Sequence, residues 1–350
     1  MDALNLLREM PKVDLHVHLD GSLRAGTLLR LAEKQGVPLP ASAEAELAPY
    51  IQVDERCGSL TEYLTKFDFV LPLLQTEEAL EQVAFEAVEQ AAGQRIRYLE
   101  IRFAPRLHRR KGLTADQAIE TVIQGLDRGQ RQFGVKARCI AICMRHDAGA
   151  DNREVVEAAS RWLGKGLVAV DLAGDESAYP AALFRDVFDR ARRLGLPVTI
   201  HAGEAAGPAN IEEAILRLGA RRIGHGVRAK EDPAVLRLVR DRRIPLEMCP
   251  TSNIQTKAVD GWDAYPIREY FDQGLVLTVN TDNPGVSGTT ILKEYEALAE
   301  RFGFAPREIA KLILNGVEAS FLEPEEKVEL KKEFETAMSR LGIGENVPDQ

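Results

Sequence analysis

Short apolar runs recur along the chain and alternate with segments whose apolar residues have helical spacing. Eight runs are predicted to be strands: Val13–Leu19, Arg97–Phe103, Ala137–Met144, Leu167–Leu172, Pro197–Ala202, Arg222–Val227, Pro245–Cys249 and Leu275–Asn280. Most are continuous rather than alternating, which is typical of parallel strands covered on both faces. Helices are predicted over Glu77–Gly93, Thr114–Phe133, Asp151–Leu163, Ala181–Leu194, Asn210–Leu218, Asp232–Arg240 and Pro266–Gln273. This alternation predicts an α/β fold, a single (β/α)8 TIM-type barrel spanning residues 1–350.

Two stretches fall outside the alternation. Residues 22–74 follow the first strand and are too long for one crossover helix, and the part from Ser59 to Phe69 is predicted to be an amphipathic helix. An insertion after a strand's carboxyl end overhangs the active face of a barrel, so we predict a helical lid. The alternative is an extra helix that packs on the side of the barrel. Residues 304–341 are predicted to form two or three helices with a break at Pro324.

Composition and charge exclude several classes of function. The formal net charge of −9 argues against a surface that binds nucleic acid or anionic lipid. No apolar run approaches the roughly 20 residues of a membrane span, and the first residues do not resemble a secretory signal. The 4 cysteines are scattered, which is typical of buried, reduced thiols. We therefore expect a cytoplasmic protein with no nucleic-acid or membrane partner, and the sequence leaves its oligomeric state open.

Four fragments with metal-binding chemistry stand at the downstream ends of predicted strands. They are His16-Val17-His18, His201-Ala202-Gly203-Glu204, Gly224-His225-Gly226 and Asn280-Thr281-Asp282. Active sites of (β/α)8 barrels are built at the carboxyl ends of the strands, where these fragments would meet. His16 and His18 are two apart on a strand and so point to the same side. With His201 and Asp282 they offer three imidazoles and one carboxylate, a set that suits Zn²⁺ with room for a water.

The same fragments suggest how a hydrolytic reaction would run. A metal ion acidifies its bound water, and His225 could accept or orient the water's proton. Glu204, if desolvated, could hold a raised pKa and act as a general acid. The fourth predicted strand lacks a Lys that could bridge two ions, which favours one metal per chain, although Asp175 and Glu176 leave this open. A metal-dependent hydrolase is therefore the leading interpretation, and each histidine taken alone could equally be a core residue.

At these residues the chain resembles the adenosine deaminase family, within the wider amidohydrolase group. The resemblance covers nearly the whole length and rests on Pro11–Ser22, Asp171–Glu176, His201–Glu204, Ile223–Gly226, Cys249–Asn253 and Asn280–Pro284. It implies a zinc-dependent hydrolase of purine salvage that deaminates adenosine and 2′-deoxyadenosine to inosine and 2′-deoxyinosine plus ammonia. The alternatives are an adenine or aminodeoxyfutalosine deaminase on the same scaffold, a silent nucleoside-binding protein, and a two-metal hydrolase of cyclic amides or esters.

The resemblance also implies a role for each site residue. One zinc ion per chain would be bound by His16, His18, His201 and Asp282. Glu204 would protonate the purine N1, while His225 with Asp282 would handle the water's proton and stabilise the tetrahedral alkoxide. Asp171 would support the metal site from behind. The implied substrate contacts are His18, Asp20, the Gly174 backbone N–H to N3, Asn283, and an apolar gate of Leu60, Tyr63, Leu64 and Phe67.

Two residues bear on the choice of substrate. In relatives that use nucleosides, an Asp like Asp20 meets the ribose 5′-hydroxyl, whereas adenine and aminofutalosine deaminases typically have Glu. A short carboxylate leaves room for the sugar and would repel a 5′-phosphate. Asn283 departs from the family pattern, in which a second acid contacts N7. Its amide can donate the same hydrogen bond without a raised pKa, so purine binding should survive while the preferred base stays open.

Overall fold

A computed structural model describes residues 3–54 and 56–343, and it contains all eight predicted strands. They are β1 (Lys12–His18), β2 (Ile96–Phe103), β3 (Lys136–Met144), β4 (Leu167–Ala173), β5 (Thr199–Ala202), β6 (Arg222–His225), β7 (Leu246–Met248) and β8 (Leu277–Val279). Strands β1 to β4 form one parallel sheet and β5 to β8 a second, each in sequence order.

The two sheets meet at both seams. Between β4 and β5, Val170 pairs with Val198, and the Val170 N–H donates to the Pro197 carbonyl at 3.0 Å. Between β8 and β1, Val17 pairs with Asp282, whose N–H donates to the His16 carbonyl at 2.8 Å. The strands therefore follow one another around a ring, which confirms the prediction of a parallel α/β barrel.

Helices connect the strands and surround the ring. Before β2 these are α1 (Ala3–Glu9), α2 (Ala25–Gln35), α3 (Glu44–Ile51), α4 (Leu60–Leu64), α5 (Phe67–Val70) and α6 (Glu77–Gly93). Then come α7 (Ala115–Phe133), α8 (Gly149–Trp162), α9 (Arg185–Arg193), α10 (Ala209–Glu213), α11 (Pro233–Asp241), α12 (Pro250–Gln255), α13 (Ile267–Asp272), α14 (Pro284–Ser287), α15 (Ile291–Phe302), α16 (Pro306–Ala319) and α17 (Pro324–Arg340). No helix of the described residues is both long and apolar enough to cross a membrane.

Most helix predictions are confirmed, and the differences lie at helix ends. Thr114 caps α7 in a reciprocal capping box with Gln117, and Pro324 is the first residue of α17, where its missing N–H costs no helical hydrogen bond. The helix predicted from Ala181 begins with a 3-10 turn before α9, and the helix predicted from Asn210 ends in a π-helical turn. Tighter 3-10 turns are frequent at helix ends, whereas π-helical turns are rare.

The segment 22–74 is helical, but the single helix predicted between Ser59 and Phe69 is wrong. Ser59 caps α4 by accepting the Glu62 N–H, and α4 then ends at Leu64. The Thr65 hydroxyl donates to the Glu62 carbonyl at 2.7 Å. Because that side chain competes for a backbone acceptor, the helix stops, and α5 begins at Phe67 after two intervening residues.

Candidate active site

Four predicted ligands converge at the carboxyl ends of the strands. Candidate ligand atoms of His16, His18, His201 and Asp282 all lie within 4.8 Å of one another. Nε2 of His16 is 3.4 Å and Nε2 of His18 is 3.2 Å from Oδ1 of Asp282. Nε2 of His18 is 3.2 Å from Nε2 of His201. Three imidazole nitrogens and one carboxylate oxygen therefore face a common centre.

Carboxylates behind two of the imidazoles fix which nitrogen faces that centre. Nδ1 of His16 is 2.8 Å from Glu247, and Nδ1 of His201 is 2.9 Å from Asp171. Burial lowers the pKa of His201 to about 3, so this ring is neutral and its Nε2 keeps a lone pair. Nε2 of His16 is buried and has no hydrogen-bond partner among the described residues. A divalent cation would satisfy this buried nitrogen, and three imidazoles with one carboxylate fit zinc.

A buried arginine supports both carboxylates from below. Arg102 donates to Asp171 at 2.9 Å, to Glu247 at 2.9 Å and to the Leu15 carbonyl at 2.7 Å. Burial alone would raise the pKa of Asp171, but the facing His201 and Arg102 hold that pKa well below its ordinary value. Both carboxylates are therefore ionised acceptors for the ring N–H groups. Sequence reasoning missed Arg102 and Glu247, whose only signal is a charge inside an apolar strand run.

Glu204 lies on the turn that follows β5 and faces the same centre. Its carboxyl accepts a hydrogen bond from the Thr256 hydroxyl at 3.3 Å and lies 3.5 Å from Nε2 of His225. Burial, together with the negative charges of Asp282 and Glu176, raises the pKa of Glu204 to about 8. A pKa raised in this direction favours the protonated carboxyl near neutral pH, the form that a general acid requires.

His225 is held by neighbours that settle the position of its proton. Tyr265 donates to Oδ1 of Asn253 at 3.3 Å, which turns the Asn253 amide nitrogen toward Nδ1 of His225 at 3.0 Å. An imidazole that accepts at Nδ1 carries its proton on Nε2 when neutral. Burial lowers the pKa of His225, which favours the neutral ring. His225 therefore presents an N–H donor to the site.

The predicted substrate residues border one cavity of about 340 Å³. Its lining includes His18, Asp20, Gly174, Asn283, Leu60, Tyr63, Leu64 and Phe67, together with Glu204, His225 and Asp282. Tyr63 is buried, and its hydroxyl lies 2.7 Å from Oγ of Ser287. Asn283 packs so closely on Gly21 that a Cβ there would lie 2.0 Å from Oδ1 of Asn283. Glycine at position 21 thus makes room for this amide.

Two acids that the sequence left open as metal ligands lie elsewhere. Asp175 accepts the backbone N–H groups of Ser177 and Ala178, each at 3.0 Å. Glu176 accepts backbone N–H groups of the turn that carries Glu204. Neither belongs to a group of candidate metal ligands among the described residues.

The cysteines are buried and unpaired, as the sequence predicts. The structure adds that Cys249 lies within 4.8 Å of ligand atoms of His225 and Asp282. Burial raises the pKa of its thiol well above the ordinary value, so the neutral thiol fills space beside the site.

Comparisons with known proteins agree with this geometry. Residues 11–337 match the family model described as adenosine deaminase. An adenosine deaminase from Clostridium kluyveri is 42% identical over 339 residues, which cover 97% of each chain. The crystal structure of an adenine deaminase from Arthrobacter aurescens has a TM-score of 0.87 at 28% identity and covers 94% of this chain and 99% of that one. An N6-methyl-AMP deaminase from Arabidopsis thaliana has a TM-score of 0.84 at 28% identity, with 96% and 99% covered. A barrel with this site and these relatives belongs to the adenosine deaminase family of hydrolases.

Proposed function

We propose that this protein deaminates adenosine and 2′-deoxyadenosine to inosine and 2′-deoxyinosine, with release of ammonia. The observation that carries the proposal is geometric: the Glu204 carboxyl, 3.5 Å from Nε2 of His225, borders the same cavity as a cluster of three imidazoles and one carboxylate. A zinc ion bound by His16, His18, His201 and Asp282 would acidify a coordinated water and thereby supply a hydrolytic nucleophile near neutral pH.

Side chains and backbone groups around the cavity protonate the purine, stabilise the attacking oxygen and orient the ring. Glu204 gives its proton to N1 of the purine, which withdraws electron density from C6 and prepares that carbon for attack. The Nε2–H of His225 donates to the attacking oxygen and stabilises the negative charge that develops on it. Of the two protons of the attacking water, one passes by way of Asp282 to the departing amine, which leaves as ammonia, and the other restores the Glu204 carboxyl. The Gly174 N–H and the Asn283 amide hold N3 and N7, and these contacts fix the ring between the acid and the nucleophile.

Charge at the mouth of the cavity supports a nucleoside over a nucleotide. Asp20, Asp68 and Asp175 border the cavity, and no Lys or Arg is among its described lining residues. A 5′-phosphate would therefore meet like charges without a compensating cation. Asp20 is 7% exposed, and we assign it to the ribose 5′-hydroxyl.

We further propose that the chain is one domain, that residues 22–74 cover the substrate as a lid, and that the protein works in the cytoplasm. Support for the lid comes from Leu60 and Leu64 of α4 and Phe67 of α5, which border the cavity. The exposed fraction of Leu64 is 45%, which is large for a leucine. We expect bound substrate to cover this side chain. Support for the compartment comes from the four buried, unpaired thiols.

An ultraviolet assay tests the proposal. Zinc-loaded protein is mixed with adenosine, and the spectral shift to inosine is followed, with adenine, aminodeoxyfutalosine and AMP in parallel. Turnover of adenosine in preference to the other three supports the proposal, with one zinc per chain by elemental analysis. Preferred turnover of adenine or aminodeoxyfutalosine would keep the chemistry and overturn the substrate.

The acid is tested separately with Glu204→Gln. This variant should keep its zinc and its fold but lose at least about 100-fold in kcat, because an amide cannot supply the proton. A Glu204→Gln enzyme with nearly full activity would remove Glu204 as the acid.

A further inference from the structure

The turn that carries Glu204 is wrapped around a carboxylate from the loop after β4. Oε1 of Glu176 accepts the Gly203 N–H at 2.7 Å. Oε2 accepts the N–H groups of Glu204, Ala205 and Ala206 at 3.1, 3.0 and 3.1 Å. Four successive N–H groups thus converge on one side chain that is only 3% exposed. Consecutive backbone N–H groups that surround an anion form a rigid nest. We call residues 203–206 the acid loop.

Neighbouring contacts join the acid loop to the loop after β4. The Ser177 hydroxyl donates to the Ala205 carbonyl at 2.9 Å. Arg145 donates to the Tyr179 carbonyl at 2.5 Å and to the His201 carbonyl at 2.7 Å, and so bridges the same two segments. Glu176 also follows Gly174, which borders the cavity, by two residues. The backbone that faces the substrate and the turn that carries the acid therefore form one unit.

We propose that Glu176 is a positioning residue for the reaction: its carboxylate fixes the acid loop so that the Glu204 carboxyl meets N1 of the purine. The proposal rests on the role of Glu204 assigned above. An ionised carboxylate is acceptor-only and can receive all four N–H groups. A glutamine of the same shape has one accepting oxygen, and its NH₂ group would point at donors. The acid loop would then lose the carboxylate that accepts its four N–H groups, although every apolar contact remained.

Glu176→Gln is the main test. We expect kcat to fall about 100-fold, the loss associated with a displacement of roughly 1 Å at a catalytic group. The KM for adenosine should change less than about threefold and the zinc content should stay at the wild-type level, because the metal ligands lie outside the nest. The matched control is Glu86→Gln, in which a carboxylate 4% exposed contacts Thr27, Gln82 and Arg30 away from the cavity. It should lose stability without a loss of kcat.

A double variant decides whether Glu176 acts through Glu204. In a Glu204→Gln background the Glu176→Gln change should cost no further activity, because residues that act as a unit are not additive. An equal loss in both backgrounds would overturn the proposal, as would a folded Glu176→Gln enzyme with wild-type kcat. If Glu176→Gln does not fold, Glu176→Asp, which keeps the charge but shortens its reach, takes its place in the same comparison. Failure of the proposed function looks different, because wild-type protein would then leave adenosine unchanged or Glu204→Gln would stay active.

Discussion

Arg102→Met should loosen the metal site without touching a metal ligand. The Arg102 side chain is 0% exposed and forms ion pairs with Asp171 and Glu247, each at 2.9 Å. These carboxylates in turn hold the Nδ1 atoms of His16 and His201. Removal of the guanidinium leaves two buried carboxylates with one partner fewer. Breaking a buried pair in this way costs about 3–5 kcal/mol of folding stability.

The effect on zinc follows from the same contacts. Loss of an outer partner of a ligating histidine weakens metal binding by about 10- to 100-fold, and Arg102 supports the partners of two such histidines. We therefore expect zinc affinity to fall by about 100-fold. Stabilisation by a fixed zinc concentration should shrink by about 3 kcal/mol, since each factor of ten is worth about 1.4 kcal/mol.

Chelator competition measures the zinc affinity, and thermal unfolding with and without zinc measures the stabilisation. Arg268→Met is the matched control, because Arg268 pairs with Asp272 and Glu308 at the surface, where ion pairs contribute little. Arg102→Lys should fall between wild type and Arg102→Met, since one ammonium cannot reproduce the two-pronged contact of the guanidinium. A folded Arg102→Met protein with wild-type zinc affinity would refute the reasoning.

Three further changes test other parts of the structure. His16→Ala should weaken zinc retention and activity together, and a fully metallated, active variant would contradict its role as a ligand. Asn283→Asp should make kcat/KM fall as pH rises through the pKa of the new carboxyl, because only a protonated acid donates; a pH profile identical to wild type would argue against the N7 contact. Glu294→Gln tests a buried acid, since burial raises the pKa of Glu294 to about 7. Between pH 4.5 and 7 the unfolded chain loses this proton while the folded chain keeps it, so stability falls by about 3 kcal/mol as pH rises. The glutamine can still accept from the Thr251 N–H and donate to the Thr289 hydroxyl. The melting temperature of Glu294→Gln should therefore exceed that of the wild type at pH 8 and equal it at pH 4.5. An equal gain in melting temperature at both pH values would refute the linkage.

The barrel could be predicted from the sequence because its strands are buried on both faces. Runs such as Cys139–Met144 are continuously apolar, so they stand out from helical segments that are apolar on one side only. The convergence of the candidate ligands could be predicted for a related reason. Parallel strands present their carboxyl ends on one face of the ring, so residues such as His16 and His201 meet there although they are far apart in sequence.

Contacts between distant side chains could not be predicted in the same way. His16 and Glu247 are 231 residues apart, and no periodicity links them. The position of the proton on His225 depends on the orientation of the Asn253 amide, which a third side chain, Tyr265, sets. The acid loop follows the same rule, since nothing in the sequence around Glu204 indicates that its backbone surrounds a carboxylate from the loop after β4.

Asp282 takes part both in the candidate metal site and in the closure of the barrel. Its N–H donates to the His16 carbonyl at 2.8 Å, and its carbonyl accepts the His18 N–H at 2.7 Å, so its backbone lies between two ligands at the seam of β8 and β1. Its φ of 60° is left-handed, which costs a residue other than glycine roughly 1–2 kcal/mol. Glycine would relieve that strain and keep both backbone bonds, but it would remove the carboxylate that faces His16 and His18. Asp282 therefore keeps a strained backbone conformation at the seam because, when the ring closes there, its carboxylate is brought next to the imidazoles of His16 and His18.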